Sequence, residues 1–383
     1  MGTPQNISTN TAKIKSCDVG SLPFQGNLEK HIEGATSYLS DPAHESAKYF
    51  ERKVLQAFLD KIGAGIHVPN FPQFRDMSEM FLSMMDGLEK VKGGYVEIGA
   101  ISLKAGCGDI AEVLAIKRNM KEISTLIGQS FALRVCVTGP YTLSTFFPYK
   151  TDETFLNLAG ALSQIVERNV FQEKHAEVAL FSLDEPIFGL VDDPMVDIGS
   201  EGRENLRKAW ENIFHKAKTR NVQTCLHLHS TSNELFWETK HLDIIESHVE
   251  DPLYKLETVK KRLETEDKFL KASICVSDFD QLIKEKITTS SKDELTEAAK
   301  NEKISEAWKT IQHGQVDPKT FLEDMQSMRK RLLKVMEKFG IERVPYAGPE
   351  CGLRGFPTYE LALECLRRVA ETVKTIGEAK VET

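Results

Sequence analysis

Short apolar runs alternate with longer amphipathic ones along nearly the whole chain, the pattern of strands and helices taking turns around a mainly parallel sheet. Strands are predicted near residues 14, 65, 131, 178, 222, 242, 270 and 343, and helices over 42–62, 108–127, 154–175, 202–219, 253–266, 318–339 and 357–376. Met77, Met80, Phe81, Met84 and Met85 recur at helical spacing and are expected on one core-facing helix, with an irregular hairpin over 94–105. Eight strands with intervening helices predict an α/β fold, a (β/α)8 barrel of the triosephosphate isomerase type with helical insertions; a doubly wound open sheet is the alternative. Residues 281–317 break this rhythm. They are rich in Lys and Glu, longer than an ordinary connection, and read as a charged, inserted helical excursion. No shift in composition marks a linker, so residues 13–383 are expected to form a single barrel domain behind a loose polar tail over 1–12.

The candidate chemistry lies where apolar runs give way to turns. In V-Q-T-C-L-H-L-H-S, Cys225, His227 and His229 share one face of the predicted strand, because strand side chains alternate. Glu246 ends the next short strand, nineteen residues past His227, and Cys351 lies in the distant turn G-P-E-C-G. Imidazole, carboxylate and thiolate converging from separate strand ends is a donor mixture that zinc (Zn2+) accepts in tetrahedral sites. Spacing alone favours a buried histidine with satisfied nitrogens, a surface glutamate and an inert cysteine; the position of each candidate at a strand end is what raises the metal reading.

Composition narrows the partners. With 383 residues, 41% of them hydrophobic, the chain can bury a large core, as an elaborated barrel or two ordinary domains. A net charge of −8 with interspersed signs argues against nucleic acid. Seven scattered cysteines, an odd number, suggest reduced thiols and a cytoplasmic location. No apolar run is long enough to span a membrane, and a signal-peptide core is not seen. Neither a phosphate loop nor a dinucleotide fingerprint is found, which demotes nucleotide cofactors.

One ordered set of short motifs spans the chain: V-G-S-L-P at Val19–Pro23, R-D-M-x-E at Arg75–Glu79, T-G-P at Thr138–Pro140, L-D-E-P at Leu183–Pro186, H-x-H at His227–His229, I-I-E at Ile244–Glu246 and P-E-C-G-L at Pro349–Leu353. In this order the set resembles the C-terminal catalytic half of cobalamin-independent methionine synthase, here in a short, core-type version. That family belongs to the zinc alkyltransferases whose barrel is related to uroporphyrinogen decarboxylase. The resemblance implies that His227, Glu246 and Cys351 are zinc ligands. Family members carry a cysteine where this chain has His229, which is expected to ligate in its place; Cys225 is the weaker substitute. Two imidazoles, one carboxylate and one thiolate would leave zinc formally neutral, one unit more positive than the family's site.

The resemblance also implies homocysteine as substrate, with Glu79 and Asp184 as the catalytic carboxylates that face its ammonium group. The turn Val19, Gly20 and Ser21 would take its carboxylate. A zwitterion needs both kinds of partner. Two departures concern the methyl donor. Folate-using members have a further N-terminal barrel, and where they carry D-I-H-S-P this chain reads Asp278-Phe279-Asp280. A folate amine needs protonation to leave, whereas cob(I)alamin does not. The expected donor is therefore methylcobalamin or a methylated corrinoid protein, with the 281–317 excursion as its expected docking element. The alternatives are a zinc alkyltransferase for another thiol such as coenzyme M, a porphyrin decarboxylase, and a non-catalytic corrinoid- or amino-acid-binding relative.

Overall fold

Seven parallel strands share one sheet in the order β1-β9-β8-β7-β6-β5-β4. The strands are β1 (Lys15–Ser16), β4 (Phe131–Thr138), β5 (Ala176–Glu185), β6 (Gln223–Leu228), β7 (Ile244–Glu246), β8 (Phe269–Cys275) and β9 (Tyr346–Pro349), while β2 (Met85–Val91) and β3 (Gly94–Leu103) form a separate antiparallel hairpin. This is a computed structural model, which describes residues 13–291 and 294–379; the tail expected over 1–12 lies outside them.

The two edges of the sheet meet across the segment 66–71. Cys17 bridges Val68 and Asn70 bridges Arg134, both in parallel. The Val68 N–H donates to Ser16 O at 2.9 Å, and the Arg134 N–H donates to Pro69 O at 2.9 Å. Pro69 has no N–H to give back, which keeps this pairing sparse. These isolated bridges put 66–71, at the place of the strand predicted near residue 65, between the two sheet edges and curl the seven-stranded sheet into a barrel rather than an open doubly wound sheet.

Closure divides the packing into two regions. Most of the core lies between the barrel and its helices. Inside the barrel, alternate residues Cys17, Val68, Leu180, Cys225, Ile244 and Tyr346 form a small apolar floor. Buried polar side chains share the interior with that floor, among them Arg134, Ser182, Glu246 and Lys271. Beyond them lie the C-terminal strand ends, where a barrel's connecting loops gather.

Three local expectations need correction. The methionine stripe does not form one long helix: the helix Met77–Leu82 stops early and Met85 starts β2. Gly87, at φ +81, and the bulge between Asp86 and Leu88 belong to a hairpin that turns at Gly93 and Gly94, both at positive φ. The hairpin expected over 94–105 is instead a single strand, β3, and its partner β2 begins at the last residue of the stripe, Met85. Second, the helix Leu28–Ser40 was not predicted. It buries only His31, Gly34, Ala35 and Tyr38, so it lacks an aliphatic stripe; its signal is the Asn27 cap, which accepts the Lys30 N–H at 2.9 Å. Third, 108–127 is two helices, Ala111–Arg118 and Met120–Ile127.

In the charged excursion, the helix Glu297–Gln312 has no buried residue and rests on the helix Phe279–Ser290, with Trp308 packed 5.3 Å from Phe279 between ring centroids. Among the described residues no helix is long and apolar enough to cross a membrane.

Candidate metal centre

Strand register places the central residues. Thr138, Asp184, His227 and Glu246 are successive partners across β4, β5, β6 and β7, so they stand at one level of the barrel. His229 follows one inward position later, just past the end of β6, and Cys351 sits just past β9. The donor atoms of His227, His229 and Cys351 all lie within 4.8 Å of one another, and Cys351 Sγ is 3.4 Å from His229 Nε2. Three of the four ligands expected from the sequence are therefore together. Cys225 is one layer lower, in the apolar floor, where burial pushes its thiol well above the usual range.

Glu246 is placed behind His227, outside this trio. Its buried carboxylate accepts two hydrogen bonds from Arg134, Nη1 to Oε2 at 3.1 Å and Nη2 to Oε1 at 2.5 Å. Lys271 Nζ lies 3.3 Å from Oε2. His227 Nδ1 lies 2.8 Å from Oε1, within ion-pair range though off the line of a full hydrogen bond. Burial alone would raise the Glu246 pKa, but Arg134, Lys271 and His227 together hold it well below the carboxylate range. A carboxylate behind a ligating imidazole orients the ring and raises its basicity.

Arg134 and Lys271 were missed by the sequence reading. The available signal was a single cation inside each apolar strand, F-A-L-R-V-C-V-T and F-L-K-A-S-I-C, because a buried cation requires a counterion.

The trio is polarised. Burial resists ionisation of Cys351, yet hydrogen bonding from His227, His229 and His248 pulls its thiol well below the ordinary range. Burial likewise resists charge on His227, but Cys351 and Glu246 outweigh it and push its pKa up to about 10. A thiolate held among imidazoles is the donor chemistry that zinc takes, so these residues fit that metal.

Glu350, also absent from the sequence reading, braces the site. Its Oε2 accepts the Val249 N–H at 2.8 Å and its Oε1 accepts the Ser277 N–H at 3.0 Å, tying the loops after β7 and β8 to the residue before Cys351. Glu350→Ala leaves both buried donors without their carboxylate and is expected to cost roughly 1.5–3 kcal/mol, read from the midpoint of a denaturant titration.

The expected substrate residues divide. The Val19–Ser21 turn abuts the Cys351 turn: Ser21 O accepts the Leu353 N–H at 2.8 Å, and a Cβ on Gly352 would collide with Ser21 Oγ. Gly20 is at φ +127, and a Cβ there would lie 2.5 Å from Gln73 Cδ, so both backbone and space require glycine. Asp184 stands beside His227; its Oδ1 accepts a 2.6 Å bond from Ser182 Oγ, and burial raises its pKa despite His227 and Arg134. Glu79 is tied to the hairpin, accepting Lys90 Nζ and Tyr95 Oη at 2.8 Å each.

No protein-family model matches the sequence, and no curated protein matches it. Solved structures match over nearly the full length. One is a B12-independent methionine synthase from Shewanella sp. W3-18-1 in complex with selenomethionine, 13% identical, covering 97% of this chain and 100% of that one with a TM-score of 0.58. Another is a candidate vitamin-B12-independent methionine synthase from Listeria monocytogenes, 14% identical over 95% of this chain and 98% of that one, TM-score 0.54. A third is a methyltransferase from Methanosarcina mazei, 12% identical over 95% of this chain and 94% of that one, TM-score 0.50. The chain shares their barrel fold. At such identities the likeness is one of architecture, and the site's chemistry has to be argued from its own residues.

Proposed function

We propose that the protein is a zinc-dependent methyltransferase that moves a methyl group from a methylated corrinoid to the thiol of homocysteine, producing methionine. The observation that carries this reading is the convergence of His227, His229 and Cys351 at the C-terminal end of the barrel, beside Asp184 and the Val19–Ser21 turn. Zinc bound by the trio would hold an incoming sulfur as thiolate at neutral pH. Asp184 offers a carboxylate to the substrate ammonium, with Glu79 as a second if it exchanges its hairpin partners. Gly20 and Ser21 face the substrate carboxylate. The methionine synthases and the methyltransferase that share the fold support the same reaction class.

The residues that open the helix after β8 favour a corrinoid donor. Asp278 Oδ1 caps the following helix, accepting the Asp280 and Gln281 N–H groups, and Asp280 accepts the Trp308 indole N–H at 2.5 Å. Both side chains are engaged as acceptors rather than poised as proton donors. Cobalt needs none: the sulfur lone pair forms the new C–S bond, the pair of the breaking Co–C bond stays with cobalt as cob(I)alamin, and the thiol proton passes to solvent. Homocysteine is preferred over coenzyme M because the buried cations Arg134 and Lys271 are spent on Glu246 and offer a sulfonate nothing.

The test measures zinc in protein purified without added metal, then methionine formed from homocysteine with methylcobalamin or methyltetrahydrofolate. About one zinc per chain and transfer from methylcobalamin alone are expected. Zinc-loaded protein that methylates no thiol from either donor would overturn the reading.

A further inference from the structure

We infer that His248, and not Glu246, supplies the fourth protein ligand, making the centre one of three imidazoles and one thiolate; this rests on the zinc reading above. Glu246 is unsuited because its carboxylate is committed. The Arg134 guanidinium takes both oxygens, Lys271 approaches Oε2, and His227 lies against Oε1. Turning that carboxylate onto a metal would abandon two fully buried cations, a cost that the metal bond would have to repay.

His248 has the opposite character. Its ring packs on that of His229 with centroids 4.2 Å apart, and His229 Nε2 is in turn 3.4 Å from Cys351 Sγ. Its Nε2 is buried and has no hydrogen-bond partner among the described residues. A buried imidazole nitrogen beside a preformed His-His-Cys trio, with nothing to bond, is a donor waiting for an acceptor. His248 lies outside the set of donors within 4.8 Å of one another, so this assignment requires its ring to turn toward the trio when metal binds. The backbone beneath it is anchored, because Glu350 holds the adjacent Val249 N–H while immediately preceding Cys351. One carboxylate thereby couples the two newly joined ligands. In this arrangement Glu246 keeps the role its geometry shows, orienting His227 from behind.

Sequence spacing concealed this residue. His248 lies two positions past Glu246, beyond the end of β7, and the motif I-I-E draws attention to the carboxylate alone.

The test compares wild type, His248→Ala and His248→Cys by zinc affinity against a chromophoric chelator, by the absorption of cobalt-substituted protein, and by zinc X-ray absorption. The wild-type spectrum should fit three imidazole nitrogens and one sulfur. His248→Ala should weaken zinc roughly a hundred-fold or more, at or beyond the upper limit for losing an outer-shell partner. His248→Cys should restore binding and add a second thiolate-to-cobalt band, which a misfolded protein could not show. Wild-type zinc held by two imidazoles and a carboxylate oxygen, or His248→Ala binding within threefold of wild type, would overturn the inference and leave the zinc reading standing. A wild-type protein that takes up no zinc would overturn both.

Discussion

Replacing Glu246 by glutamine is expected to lower folding stability by about 3–5 kcal/mol, the usual cost of breaking a buried ion pair from one side. The side chain keeps its size, so the loss is electrostatic. Arg134 and Lys271, both fully buried, would be left without their counterion. Adding Arg134→Met should recover part of the loss, since one stranded charge leaves with it; that sign distinguishes electrostatics from poor packing. Acid titration offers a second readout. The folded pKa of Glu246 is depressed, so its contribution is fully present above the unfolded glutamate value of about 4.3 and fades as pH falls through the lower folded value. Glu246→Gln should therefore flatten the acid side of the stability profile. Denaturant midpoints measured at several pH values check both points, and a variant as stable as wild type at neutral pH would refute the pairing.

Cys351→Ser is expected to weaken zinc binding by at least about a hundred-fold and to abolish methyl transfer, because it removes the only sulfur of the trio. The metal-stripped protein gives an independent check. Hydrogen bonding from imidazoles pulls the Cys351 thiol well below its ordinary range, whereas burial pushes those of Cys17, Cys136 and Cys225 upward and the contact with Cys365, then burial, raises that of Cys275. Brief iodoacetamide treatment near pH 7 should thus label Cys351 before these four, and zinc should protect it. Peptide mass spectrometry decides this, and equal labelling of the buried cysteines would contradict the geometry.

Most of the fold was legible because its signals are local. Each barrel strand is an apolar run ended by a turn, and that pattern needs no knowledge of its neighbours. The misses came where local and tertiary signals part. The helix Leu28–Ser40 buries His, Gly, Ala and Tyr in place of an aliphatic stripe. The methionine stripe has helical spacing, yet its last member pairs with Leu103 in a hairpin. Pairing within a sheet can override a periodicity that short segments share between states.

The sequence alone determined the positions of the seven sheet strands and the shared face of His227 and His229, since side-chain alternation is a property of one strand. It also marked Cys351 as lying at a strand end. The tertiary structure alone decided that 66–71 closes the barrel, that Glu246 serves Arg134 and Lys271, and that Glu350 braces the final turn. Those outcomes depend on which charges and donors meet after distant strands have packed. In a buried interior the cost of an unpaired charge then governs each side chain's role.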